Sequence, residues 1–177
     1  MVSGEPKVGD NMNIFVVDSD PRAAARQLCN RHTVKMPIET AQMLCTALQN
    51  HKYRSTKYGP THVSHPCTKW ASATRGNFLW LGKHGMELCR EYTRRYGREH
   101  KCQAVIEHCI SKANFIPAGK LQPFVVCMPD HFKVKDNPVM SYRNYYNLGK
   151  GYMNRGCGPR WKEEPPLWYE NGISPIF

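Results

Sequence analysis

The chain has 177 residues, long enough to bury a core without covalent staples, and its mean hydropathy is −0.60. No apolar run reaches the roughly 18 residues that span a bilayer, and the opening stretch "MVSGEPKVGDN" has no apolar signal-like region. Lysine and arginine number 25 against 14 acids, a formal charge of +11, so an acidic partner is expected. Without a basic amphipathic segment of the membrane-surface kind, nucleic acid is that partner.

Residues 1–11 read as a flexible tail, with Met12 a candidate start for one domain over 12–177. "NIFVVD", Asn13 to Asp18, is a strand or a buried extended run. Asp20 then caps a helix with Pro21 at its first position. A second helix is expected from Pro37 to about Asn50, burying Ile38, Ala41, Leu44, Cys45 and Leu48. A polar loop follows, and from Pro66 to about Tyr96 the pattern is helical, with a bend expected at Gly76, Gly82 or Gly85. Gly97 stops it, with arginines at its negative end. "QAVIEHCISKA" is a further helix, "QPFVVCMPD" an extended piece, "NPVMSYRNYYNLGKG" a last helix, and Tyr152 to Phe177 an ordered, aromatic-rich loop. The fold is read as mainly α, a single helical domain. Eight cysteines without a CxxC pair fit reduced thiols and a cytoplasmic setting.

Four constellations bear on chemistry. In "HTVKMPIE", His32, Lys35 and Glu39 share a face at helical spacing, although Pro37 is expected to split that face. A carboxylate beside cations suits activation of a nucleophile; the plain alternative is a solvated first turn. In "THVSHPCTKW", His62, His65 and Cys67 match no zinc motif, so phosphate or base contacts by the histidines are expected and no metal or cofactor is. Arg90, Arg94, Arg95, Arg98 and Lys101, with a second strip of Arg22, Arg26 and Arg31, leave charge for phosphates; Lys69 and Arg75 add to it. Last, "SYRNYYNLGKGY" alternates rings and cations, which suits base stacking by Tyr145 and Tyr146 beside Lys150, or equally the packing of hooks.

This order of features resembles the phage pyrimidine-dimer DNA glycosylases of the endonuclease V type. Their layout has an N-terminal segment ending in "IN", a motif like H-L-x-x-E-Y-R-E, a histidine loop, a helix ending E-x-x-x-R-G, and a run like W-Y-K-Y-Y-G-K. The counterparts here are "NIFVVD", "HTVKMPIE", "THVSHP", "LCREYTRRYG" and "YRNYYNLGKG", over most of Met12 to Lys150. The resemblance implies a compact helical fold, a double-stranded DNA partner, and Glu39 and His32 at the family's glutamate and histidine. It departs in two ways. Those enzymes attack the sugar with a free N-terminal amine, whereas eleven residues precede Met12 here, and the family's arginine beside the glutamate is replaced by Ile38 or Thr40.

The chain also resembles phage proteins of thymine hypermodification, in which an activated hydroxymethyl-pyrimidine in DNA is displaced by an amine or amino acid. Transfer of an amine or amino acid to DNA is therefore expected ahead of glycosylase/lyase chemistry. His32, Lys35, Glu39, His62 and His65 would act on the leaving group and the incoming amine, in a monomer inside a phage-infected or bacterial cell. A non-catalytic basic DNA-binding protein is the rival from another class.

Overall fold

The computed structural model describes residues 12–170; the expected flexible tail and the last residues of the C-terminal loop lie outside that range. The described residues are mainly α and contain no β-strand. Asp20 accepts the Arg22 amide at 3.3 Å and starts α1, Pro21–Gln27. The second helix, α2, is Asn30–Asn50 and runs unbroken through Pro37. The expected split at Pro37 is therefore corrected. The proline forgoes one i to i−4 hydrogen bond, but Met36, Pro37, Thr40, Ala41 and Leu44 are all buried around it, so packing outweighs that loss.

The third helix, α3, is Pro66–Ala73, capped by the His65 ring, and α4 is Arg75–Tyr96. The break between them falls at Thr74 rather than at a glycine, and its extended backbone lets its hydroxyl accept the Asn77 amide at 3.1 Å. Gly97 ends α4 in the left-handed region at φ 69°, donating its amide to the Thr93 carbonyl. Helix α5, Gln103–Ser111, packs on α2 and α4, and α6, Pro138–Asn144, passes into a π turn at Tyr145–Gly149 instead of continuing as one helix. The core contains Val16, Val17, Leu44, Leu48, Phe78, Leu81, Leu88, Ile106 and Tyr142.

Two extended segments position the site. Residues 12–17 are buried between α2 and α6, and residues 117–129 run without ladder partners along α3 and α4. Asn13 joins the two: its Nδ2 donates to the Cys127 carbonyl at 2.7 Å. The 119–121 backbone lies so close to α4 that a Cβ on Gly76 would meet the Leu121 nitrogen at 2.3 Å. The aromatic tail closes back over α1, with the Trp161 indole donating to the Gln27 carbonyl at 3.0 Å and the Asn30 amide to Arg160 at 2.8 Å. These rings are packing hooks.

Two outcomes follow. Gly76→Ala forces backbone apart and costs about 1–3 kcal/mol in urea unfolding. The second concerns His84, fully buried, stacked on Trp80 at 5.2 Å, with neither ring nitrogen hydrogen-bonded among the described residues. Burial lowers its pKa to about 3. Its contribution is thus full above the unfolded value near 6.5 and is lost as pH falls from about 6.5 toward 3. Unfolding measured across that window loses up to about 1.4 kcal/mol per pH unit for this proton, and His84→Leu removes that share of the slope.

Candidate active site

The continuity of α2 brings His32, Lys35 and Glu39 onto one face. Glu39 is 7% exposed, and its two oxygens have different partners. Oε2 accepts the backbone amide of Asn13 at 3.0 Å, and Oε1 lies 3.0 Å from the Lys35 ammonium, whose side chain is half exposed. The carboxylate therefore sits at the bottom of the surface, bound by the N-terminal segment behind and a mobile-length cation in front.

Asn13 fixes this arrangement. Its Oδ1 accepts from the Ile14 amide at 2.9 Å and from the Tyr142 hydroxyl at 2.8 Å, while its Nδ2 holds the 117–129 segment. Two residues on, Phe15 adopts φ 59°, a left-handed conformation that an aromatic residue rarely takes. Its ring is clamped there: the His32 imidazole stacks on it at 4.1 Å, and the rings of Tyr142, Tyr145 and Tyr146 surround it. Such strain persists only where neighbours over-determine it, as they do here.

His32 is 6% exposed, and its Nδ1 is hydrogen-bonded to the Tyr146 hydroxyl. Burial, then the charges of Lys150, Lys35 and Arg31, push its pKa well below the usual value, so the ring is neutral at pH 7. The Lys150 ammonium, 7% exposed, lies over the Tyr145 ring at 4.2 Å and the Phe15 ring at 5.2 Å, and donates to the hydroxyls of Tyr145 and Tyr152. His32 thus packs and orients the segment that reaches Glu39.

The other residues read from the sequence divide. His62, exposed at φ 48°, bonds Thr61; His65 caps α3; neither is hydrogen-bonded to Glu39. His65 instead meets Cys67 and Cys127, a cluster that the spacing of His62, His65 and Cys67 did not reveal. Arg95 is a correction. It is 7% exposed, pairs with Glu91 at 2.8 Å and donates to the carbonyls of Leu28 and Arg26, so it ties α4 to the end of α1 and offers nothing to a phosphate. Burial pushes Glu91 up, but hydrogen bonds and charge from Arg94 and Arg95 outweigh it and hold the carboxyl below its usual range. Tyr146 is likewise corrected: fully buried, it cannot stack on a base. Arg75 donates to the carbonyls of Ala113, Asn114 and Ile116. Arg94 pairs with Glu91 and Glu163, Arg22 lies 3.9 Å from Glu87, and Arg98 sits on the Tyr92 ring and bonds its hydroxyl. Tyr145 is half-buried beside Lys150. Arg26, Arg31 and Lys69 are exposed cations without an ion-pair partner among the described residues.

The residues missed in sequence were Asn13, Phe15, Tyr142 and Cys127. For Asn13 a signal existed, since it opens the "NIFVVD" stretch that the resemblance sets at the family's N-terminal segment. A groove of about 400 Å³ lined by Val34, Ile38, Tyr92 and His100 lies on another face of α2, and none of Asn13, His32, Lys35 or Glu39 lines it.

The described residues thus form a basic helical domain whose buried carboxylate, Glu39, is held by the backbone of the 12–17 segment. The chain belongs to the pyrimidine dimer DNA glycosylase family, whose profile matches residues 12–104, just over half of its length. That match takes in Asn13, His32, Lys35, Glu39, His62 and His65 and stops short of Cys127 and the 145–150 run. No curated protein and no solved structure matches. Among the described residues no helix is long and apolar enough to cross a membrane.

For DNA binding, alanine at Arg26, Arg31 or Lys69 lowers the slope of log affinity against log salt by about 0.9 for each phosphate contact removed. Fluorescence anisotropy with a duplex over a salt series measures it, and a slope unchanged from the unsubstituted protein in all three variants excludes these cations from the interface.

Proposed function

We propose that the protein is a DNA-acting enzyme that works on a pyrimidine nucleotide with Glu39 as its general base, and that the reaction is transfer of an amine or amino acid to an activated hydroxymethyl-pyrimidine in duplex DNA. The observation that carries this reading is the nitrogen facing Glu39. In a family of pyrimidine dimer DNA glycosylases, the group held by the Oε2 oxygen is here the peptide nitrogen of Asn13. Its lone pair is delocalised into the Met12 carbonyl, so it is no nucleophile.

The attacking nitrogen is then supplied by a second substrate. Glu39 takes its proton as the new C–N bond forms at the hydroxymethyl carbon, and the C–O bond to the phosphorylated leaving group breaks. Lys35, 3.0 Å from Glu39 and half exposed, is placed to balance the charge of that leaving group. The base has to be extruded from the duplex or approached along a groove.

One observation favours a second reading, glycosylase/lyase chemistry. Lys35 carries a primary amine 3.0 Å from Glu39, and a lysine beside a carboxylate can attack the sugar C1′ as the bond to the base breaks, then form a Schiff base as the sugar ring opens. The two readings, and simple DNA binding without catalysis, part in one set of assays. Mass spectrometry of nucleosides, after incubation of activated duplex with an amine, detects transfer; Glu39→Gln lowers its rate about 10²- to 10⁴-fold with DNA affinity kept. Borohydride trapping on abasic duplex, lost in Lys35→Ala, establishes the lyase instead. Salt-sensitive affinity with neither product establishes a binder and overturns both.

A further inference from the structure

At the head of α3, a ring nitrogen of His65, Cys67 Sγ and Cys127 Sγ all lie within 4.8 Å of one another. The two sulfurs are 3.4 Å apart. Two thiolates on one tetrahedral zinc ion, each about 2.3 Å from the metal, stand roughly 3.8 Å from each other. A disulfide brings them to about 2.05 Å. The pair is therefore near ligand separation and well short of bonding.

A second thiol pair, Cys45 and Cys109 at 3.7 Å, provides the contrast. Both are buried in the core, and no third metal-ligating side chain joins them among the described residues. What sets Cys67 and Cys127 apart is a histidine as third ligand and partial access to solvent, since His65 and Cys127 are only half-buried.

The surroundings hold the three groups in place from two elements, the head of α3 and the 117–129 segment. Cys67 is the second residue of α3, where backbone amides direct positive potential toward a thiolate. Cys127 is gripped through both backbone groups: its carbonyl accepts Asn13 Nδ2 at 2.7 Å, and its amide donates to the Tyr142 hydroxyl at 3.4 Å. The His65 ring accepts the Cys67 amide through Nδ1 at 3.1 Å, which shows that nitrogen unprotonated; its one lone pair passes from the amide to the ion when metal binds. A ligand gripped by second partners, as Cys127 is, favours a single coordination geometry.

We propose that His65, Cys67 and Cys127 form a zinc site, with the fourth position taken by water on the solvent side. Two S–H bonds break, two Zn–S bonds form and both protons leave to solvent, with no change of oxidation state. The ion ties the 117–129 segment to α3. Through Asn13, which binds both the Cys127 carbonyl and Glu39, it steadies the carboxylate without touching it.

The test uses the full chain, stripped with chelator under reductant and titrated with Co²⁺ as a spectroscopic probe. One equivalent is expected to give thiolate-to-cobalt charge-transfer absorption with the visible bands of a tetrahedral ion, and Zn²⁺ to abolish both. Cys67→Ser or Cys127→Ser weakens the charge transfer to about half, since one of two thiolates remains. His65→Asn preserves a good helix cap yet lowers affinity about tenfold or more. Cys45→Ser leaves the spectrum unchanged. X-ray absorption at the zinc edge of the unmodified protein reports two sulfurs and one imidazole without relying on any variant. Absence of the charge-transfer band, or its persistence undiminished in both serine variants, overturns the site.

Discussion

The hydrogen bond from the Asn13 amide to Glu39 Oε2, 3.0 Å across 26 residues, is the contact on which the site depends. A buried carboxylate needs partners, and this one finds a backbone N–H whose position is set by everything else around it. Asn13 is fixed by Tyr142 of α6 and by the Cys127 carbonyl. Phe15, just beyond, is fixed by His32 of α2 and the tyrosines of the C-terminal run. The first described segment, the central helix and the C-terminal helices thus meet at one carboxylate.

Electrostatics sort the molecule into two kinds of cation. Arg95 belongs to the interior: paired with Glu91, it donates to the carbonyls of Arg26 and Leu28 at the end of α1. Removing either partner would leave a buried charge, so this pair maintains geometry and adds nothing to the field outside. Arg26, Arg31 and Lys69 are the reverse, exposed and without an ion-pair partner among the described residues, and they contribute to the formal charge of +11. Near Glu39 the balance is finer. Burial first, then Lys150 and Lys35, disfavour a charged His32, so the histidine is a neutral ring stacked on Phe15, and the cation paired with Glu39 is Lys35.

Much of this was legible in the residues. Asp20-Pro21 and Gly97 are strong local punctuation and set the start of α1 and the end of α4 where expected. The order of motifs around "HTVKMPIE" pointed to the family. Pro37 misled, because a local rule about proline cannot see the buried face that keeps α2 whole, and that continuity is what aligns His32 with Glu39. The break at Thr74 was hidden for the same reason: three nearby glycines looked like hinges but serve close packing, and an unremarkable threonine supplies the cap. Arg95 and Tyr146 were indistinguishable in sequence from their exposed neighbours. Cys127 stands 60 residues from Cys67, a separation that no spacing motif encodes.

The most direct measurement is a crystal structure of Glu39→Gln bound to duplex DNA carrying a modified pyrimidine. The pyrimidine nucleotide is expected to be drawn out of the helix, with its base or sugar within hydrogen-bonding distance of residue 39 and of Lys35. A duplex seated on another face, with residue 39 still closed against Asn13 and touching no nucleotide, would contradict it.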